Sequence, residues 1–223
     1  MKTSQGKLLV FEGIDGSGKT TQISLLSQYL KQQGIAFEVI SFPQYGKNKF
    51  AKEIFDYLSG KLGKLNELDP YAIAKLYAED RKTVRDKIQS WLDSGKLVLA
   101  NRYISSSKAH LGANVLEKRE DFIKWIDDME YKKNGMPKED LTILLKVDPK
   151  IGQKHSQTKN KPDIHEDNLR HLTKTSEIFL KLSQTEKNWV VINCMQNGQM
   201  RVPQEIHQQI ISHLKKRPVR HKI

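Results

Sequence analysis

The sequence predicts a single α/β domain, a parallel sheet of about five strands with helices on both faces. Three observations predict it. The apolar run Leu8–Glu12 leads into a glycine-bearing loop and then a helical pattern. Short apolar runs of strand length recur along the chain and alternate with stretches of helical spacing. No polar linker and no internal repeat divides the 223 residues.

In order, Leu8–Glu12 reads as a strand buried on both faces, and Thr20–Gln32 as its helix, with Ile23, Leu26 and Leu30 on one side and Gly34 as the stop. Phe37–Ser41 is a second strand, closed by the turn FPQYG, which sets Phe42 and Tyr45 at a strand end where α/β sheets bind ligands; packing against a neighbouring loop is the alternative. Phe50–Leu58 has helical spacing and a lysine-bearing loop follows. Tyr71–Ser94 reads as one long helix, begun by Pro70 and ended by Gly95. Lys96–Ala100 is a third strand with Asn101-Arg102-Tyr103 at its end. Ser105–Gly112 opens a helical pattern that WIDDMEY continues after a charged break near Glu117–Asp121. Leu141–Val147 and Trp189–Asn193 are the fourth and fifth strands. Lys150–Asn168 between them is polar and lysine-rich and reads as mobile, whereas Asn168–Leu182 and Pro203–Leu214 read as amphipathic helices covering the sheet.

Composition narrows the function classes. The apolar runs are strand-sized and too short to span a membrane, and the N-terminal residues pass straight into the first strand, so a cytoplasmic protein is expected. The single cysteine, Cys194, lies in the apolar run WVVINC, which points to a buried structural thiol and a reducing compartment. The net charge of +12 is spread over Lys47–Lys64, Lys150–Lys161 and the tail KKRPVRHKI. With no interleaved aromatic stripe, it does not indicate nucleic acid as a partner, and acidic small substrates account for it as well.

Chemistry concentrates in the first loop. Gly13–Thr20 fits G-x-x-x-x-G-K-[ST] with a strand before it and a helix after it. In such a loop Gly13, Ile14, Asp15, Gly16, Ser17 and Gly18 turn backbone N–H groups around phosphate oxygens. Lys19 then reaches the β- and γ-phosphates, Thr20 offers its hydroxyl to magnesium, and the helix presents its positive end. ATP with Mg2+ is the expected ligand, and the fold expected around it is the P-loop NTPase three-layer sandwich with a mobile lid. Asp15 is unusual beside polyphosphate and needs a partner; it either faces magnesium, a basic group or an acceptor hydroxyl, or caps the loop's own amides.

Tyr77 and Arg81 lie four apart on one helical face, a ring and a fork of donors that suit a planar base. Periodicity alone favours a core Tyr and an Arg paired with Glu79 or Asp80. Arg102 leaves a buried strand at the cleft edge, where bidentate capture of a phosphate is favourable.

FEGIDGSGKTTQ, FPQY, LYAEDR, ANRYISSSKAHLG, VDP, KPDIHED and NWVVINC, in this order, resemble the thymidylate kinase family over nearly the whole chain. The resemblance implies a phosphotransferase passing the ATP γ-phosphoryl to dTMP, with Lys19, Asp15 and Arg102 as the catalytic set and a homodimer as the assembly. It places Asp15 over the acceptor's sugar and magnesium, stacks Tyr77 on the base, sends Arg81 to an exocyclic oxygen and makes Arg102 the clamp on the acceptor phosphate. Ser106, Ser107 and His110 occupy the stretch that faces base and sugar in similar enzymes, where the family more often has Asn or Thr and then Tyr-Gln; Ser107 is placed to hydrogen-bond the pyrimidine edge, and His110 either takes the packing role of that Tyr or, as a lone helical His more often does, serves structure. Asn101 stands where Asp is commoner, which bears on metal ligation. The lid, about residues 150–168, carries no Arg, and Gly16 leaves the loop without one as well. Lys154, Lys159 or Lys161 is left to supply the cation, without the bidentate fork of Arg, and a solvated lysine run is the alternative for each of them. Asp163 and Glu166 resemble the turn where the lid rejoins the core. Alternatives are a kinase for another pyrimidine nucleotide or nucleoside, a nucleic-acid-stimulated ATPase, and a binding module that no longer catalyses.

Overall fold

The computed structural model describes residues 5–63, 68–157 and 169–216. Five strands, β1 (Lys7–Glu12), β2 (Phe37–Ser41), β3 (Leu97–Asn101), β4 (Leu141–Lys146) and β5 (Trp189–Asn193), form one sheet in the order β2-β3-β1-β4-β5. All its pairings are parallel. β1 is central, so the loop that follows it opens at the middle of the sheet's carboxyl edge.

The sheet is buried on both faces because β1 is apolar at every inward position. Leu8 and Val10 face one hydrophobic cluster and Leu9 and Phe11 the other, as the two-residue period of a strand requires, and all four are fully buried. The first face is covered by α2 (Lys49–Leu58), α3 (Pro70–Lys82), α4 (Arg85–Asp93), α5 (Ile104–Gly112) and α6 (Arg119–Asp127). The second is covered by α1 (Lys19–Gln32) and α9 (Pro203–Lys215). α8 (Leu169–Thr185) packs against α5 and the edge formed by β4 and β5.

Several expectations are corrected. The stretch Tyr71–Ser94 is two helices, broken at Thr83 and Val84. The Thr83 hydroxyl donates to the Asp80 carbonyl at 2.7 Å, and Val84, at φ −120°, leaves helical backbone before Arg85 restarts it. Both halves present apolar residues to one cluster, so the periodicity runs through the break. The segment expected to be mobile from Lys150 is helical over α7 (Pro149–Gln157), where the Asp148 carboxylate accepts from the Lys150 amide at 2.8 Å. Lys159, Lys161, Asp163 and Glu166 lie outside the described residues. α6 begins inside the expected charged break, and WIDDMEY runs on as a π turn, Asp128–Lys133. A small hairpin, β6 (Met195–Gln196) and β7 (Gln199–Met200), was not expected, although Asn197-Gly198, both at positive φ, is the dipeptide that makes such turns. Cys194 is buried, as expected, and burial pushes its thiol up to about 12. Among the described residues no helix is long and apolar enough to cross a membrane.

Candidate active site

The phosphate loop spans Gly13–Thr20. Gly13, Gly16 and Gly18 adopt φ of 142°, 74° and 91°, backbone conformations that glycine takes without the strain a side chain would bring. At Gly16 the requirement is steric too, because a Cβ there would lie 2.0 Å from the Gly152 carbonyl oxygen of α7. Lys19 is buried, and its Nζ donates to the carbonyls of Gly13 and Ile14, each at 2.9 Å, which folds the ammonium back over the loop. α1 has no acidic residue in its first turn, so nothing there offsets the positive end of the helix.

β3 brings the second arm alongside. Phe11 pairs with Asn101, and the Arg102 amide donates to the Phe11 carbonyl at 3.0 Å. Arg102 sits at φ 65°, a left-handed conformation that sends its guanidinium back across the loop to an ion pair with Asp15. Its Nη1 donates to Ser106 Oγ at 3.4 Å and lies 3.0 Å from His110 Nε2. A guanidinium only donates, so His110 Nε2 is the acceptor and the ring carries its proton on Nδ1. Burial opposes the Asp15 charge, yet Arg102 and then Lys19 hold its carboxyl well below the ordinary aspartate range.

Asn101 Nδ2 donates to Thr20 Oγ1 at 3.4 Å, and Asn101 Oδ1 is buried with no protein partner among the described residues. An orphaned amide oxygen beside the loop hydroxyl suits a hard cation that takes oxygen ligands.

Beneath this arm lies Glu12, which sequence reasoning missed. Fully buried, it accepts from the amides of Tyr103 at 2.9 Å and Ser106 at 3.0 Å and from the Ser106 hydroxyl at 2.6 Å. It thus caps the start of α5 from the neighbouring strand and holds Tyr103, which follows Arg102, and Ser106, which the Arg102 guanidinium meets. Burial raises its pKa. A charged residue closing an otherwise apolar strand was the signal for it.

The remaining expected residues divide. Arg81 is buried at 1% exposure, and its Nε donates to Glu130 Oε1 at 2.9 Å and its Nη2 to Ser107 Oγ at 2.8 Å. The Arg81 partner is therefore Glu130 on the π turn, not Glu79 or Asp80. Asp80 accepts instead from the Gln44 amide and Asn48 Nδ2, which ties down the FPQYG turn. Tyr77 is half-buried and close enough to Arg102 to act on its charge. Phe42 is buried in the core against Tyr103. Tyr45 is 48% exposed and meets Phe55 edge-to-face at the rim of an open pocket of 580 Å³ shared with Lys47, Lys49 and Lys52. Lys154 is exposed on α7.

A glycine-bearing loop with the buried Lys19 after one strand and the Arg102 guanidinium after its neighbour bring two cationic groups to one edge of the sheet. A central parallel strand followed by this loop defines a P-loop nucleotide-binding enzyme of α/β class. The chain belongs to the thymidylate kinase family, whose model matches residues 11–210. The probable thymidylate kinase of Methanosphaera stadtmanae is 34% identical over 209 residues, 93% of this chain and 98% of the relative. The thymidylate kinase of a Sulfurihydrogenibium species is 33% identical over 219 residues, covering 96% and 99%. The solved structure of Candida albicans thymidylate kinase superposes with a TM-score of 0.73 at 23% identity, covering 95% of this chain and 92% of that one, a likeness of fold.

Proposed function

We propose that this protein transfers the γ-phosphoryl group of ATP to thymidylate, giving ADP and dTDP. The reading is carried by one observation, the placing of Arg102 opposite the phosphate loop, with its guanidinium oriented by Asp15, Ser106 and His110. Its support is the family to which the chain belongs.

Phosphoryl transfer needs little covalent chemistry from the protein; it needs two substrates held in line and positive charge on the transferring group. The loop amides and Lys19 hold the donor's phosphates, and Lys19 leaves the Gly13 and Ile14 carbonyls to do so. Arg102 clamps the acceptor phosphate, exchanging its bond to Asp15 for phosphate oxygens, and Asp15 is then free to accept from the acceptor's sugar hydroxyl. Tyr77 stacks on the base, and Arg81 and Ser107 lie at the base end. Thr20 and Asn101 would hold magnesium, which supplies charge neutralisation on the polyphosphate. Lys154 and the lysines of the segment after it are the lid cations in this reading. A cytoplasmic homodimer completes it, on the family resemblance.

An ADP-release assay over a panel of nucleoside monophosphates and nucleosides tests the reading. Thymidylate is expected to give the highest kcat/KM, and Lys19→Met to lower it by roughly 10³-fold or more. Turnover with thymidylate no higher than with water, or unaffected by Lys19→Met, would overturn it.

A further inference from the structure

Among the described residues three side chains hold the Arg102 guanidinium. Nη2 is ion-paired with Asp15, and Nη1 donates to Ser106 Oγ at 3.4 Å and to His110 Nε2 at 3.0 Å. The Ser106 contact is long, and that hydroxyl is committed as a donor to Glu12 Oε2 at 2.6 Å, so His110 is the main hold on Nη1. The two arms are thus pulled apart, Nη2 toward the phosphate loop and Nη1 toward α5. Asp15 stays ionised, because Arg102 and Lys19 hold its carboxyl far down. Imidazole, by contrast, is the side chain that gains and loses its charge near neutral pH.

The bond to His110 exists in one protonation state only. A guanidinium has hydrogens alone to offer, so Nε2 must present its lone pair, whereas a protonated ring carries hydrogen on both nitrogens and sets a second positive charge against Nη1. Asp15 favours that charge, but its carboxylate is already shared by Arg102 and Lys19, and the direct contact with Arg102 is the shorter one. The other groups around the ring do not reverse this. His171 on α8, with its ring 6.0 Å away between centroids, is kept neutral by burial, and Arg119 on α6 is spent on the Gly112 and Val115 carbonyls. Tyr77 on α3 acts on Arg102, and Glu12 is tied to Ser106 and the Tyr103 amide. Losing the His110 bond leaves Arg102 fixed at Asp15 alone. Exchanging Asp15 for phosphate oxygens then frees both arms at once, instead of swinging one arm about a fixed other.

We propose that His110 is a positioning residue for the phosphate clamp: its neutral ring holds one arm of Arg102 in place while the other leaves Asp15 for the acceptor phosphate, so that acceptor capture is lost as the ring protonates. The inference rests on Arg102 being the acceptor clamp, as the preceding section reads it.

The test is kcat and KM for thymidylate and for ATP from about pH 8 to about pH 5.5 in the wild-type protein and His110→Gln, with a thermal melt at each pH. Gln offers an acceptor oxygen that does not titrate, and the titration of thymidylate's own phosphate is common to both proteins and cancels in their ratio. With each protein normalised to its own value at about pH 8, kcat/KM for thymidylate is expected to fall by about tenfold or more further in the wild type, the scale of one lost hydrogen bond to a charged group. The fall is expected in the KM for thymidylate, with the KM for ATP following the same course in both proteins. Nitrogen NMR of the imidazole is expected to show His110 with its proton on Nδ1 at the high end and to titrate over the pH range of the kinetic fall. Parallel normalised profiles, a wild type that captures thymidylate better as the ring protonates, or a neutral ring with its proton on Nε2 would each overturn the proposal. Should His110→Gln fail to fold, the wild-type NMR decides alone, and a His110 titration that does not coincide with the kinetic fall overturns it. Wild-type protein that phosphorylates no pyrimidine monophosphate at any pH overturns the kinase reading and this proposal with it. Normal thymidylate turnover at about pH 8 with parallel profiles overturns this proposal alone.

Discussion

Gly16→Ala is expected to loosen the phosphate loop from α7. Gly16 has φ +74°, where an L side chain costs about 1 kcal/mol or more. The added Cβ would also sit 2.0 Å from the Gly152 carbonyl oxygen and 2.8 Å from the carbonyl carbon, both backbone atoms that cannot swing aside. To restore an ordinary contact of 3.4 Å, α7 must withdraw by more than 1 Å from a loop to which it is packed so closely that a Cβ on Gly152 would in turn lie 2.8 Å from the Asp15 carbonyl oxygen. Overpacking of this kind adds about 1–3 kcal/mol. The sum, roughly 2–5 kcal/mol, corresponds to a fall in Tm of about 4–20 °C for a chain of this size. Differential scanning calorimetry measures the fall, and the same preparations give KM for ATP, which is expected to rise. A Tm within about 2 °C of wild type together with unchanged KM would refute the reasoning. The same geometry means that an arginine grafted at position 16 displaces α7 before it can reach a phosphate, so the loop in this arrangement does not accommodate its own arginine.

Two further outcomes follow from buried groups. Glu12→Ala removes the acceptor of the Tyr103 and Ser106 amides and is expected to destabilise the fold by about 2–4 kcal/mol. It should also raise the acceptor KM through Arg102, whereas Glu12→Gln, which keeps one acceptor oxygen, should recover most of both in urea unfolding and steady-state assays. His171, whose Nδ1 meets Asn114 Oδ1 at 3.1 Å, is lowered by burial from 6.5 to about 4. A depressed imidazole contributes stability that is fully present above pH 6.5 and is lost as pH falls toward 4. Between those limits the wild type should lose up to about 3 kcal/mol more than His171→Gln, read as the difference between their urea unfolding free energies at each pH; parallel profiles would remove His171 as the cause.

What the chain states locally, it states well. The strand before Gly13, the glycines of the loop, Lys19 and Thr20 are contiguous, and their chemistry is fixed by spacing, so the phosphate loop and the alternation of strands and helices were legible in sequence. The site's second half was legible as residue types at element ends, Arg102 after a buried strand, and through likeness to a family. Which groups these residues meet was not. Periodicity ran unbroken from Tyr71 to Ser94 because both helices share an apolar face, and it hid the stop at Thr83. Polarity made Lys150–Gln157 look loose, although α7 lies against the phosphate loop.

By itself, then, the sequence determined the loop, the order of elements and the family. Tertiary structure alone decided that Asp15 meets Arg102, 87 residues away, that Arg81 turns to Glu130, 49 away, and that Glu12 holds the start of α5. Hydrophobic pattern is a property of neighbours along a helix or strand. A buried charge, by contrast, takes whichever partner the sheet order and crossovers bring to it, because leaving it unpaired is far costlier than any local preference.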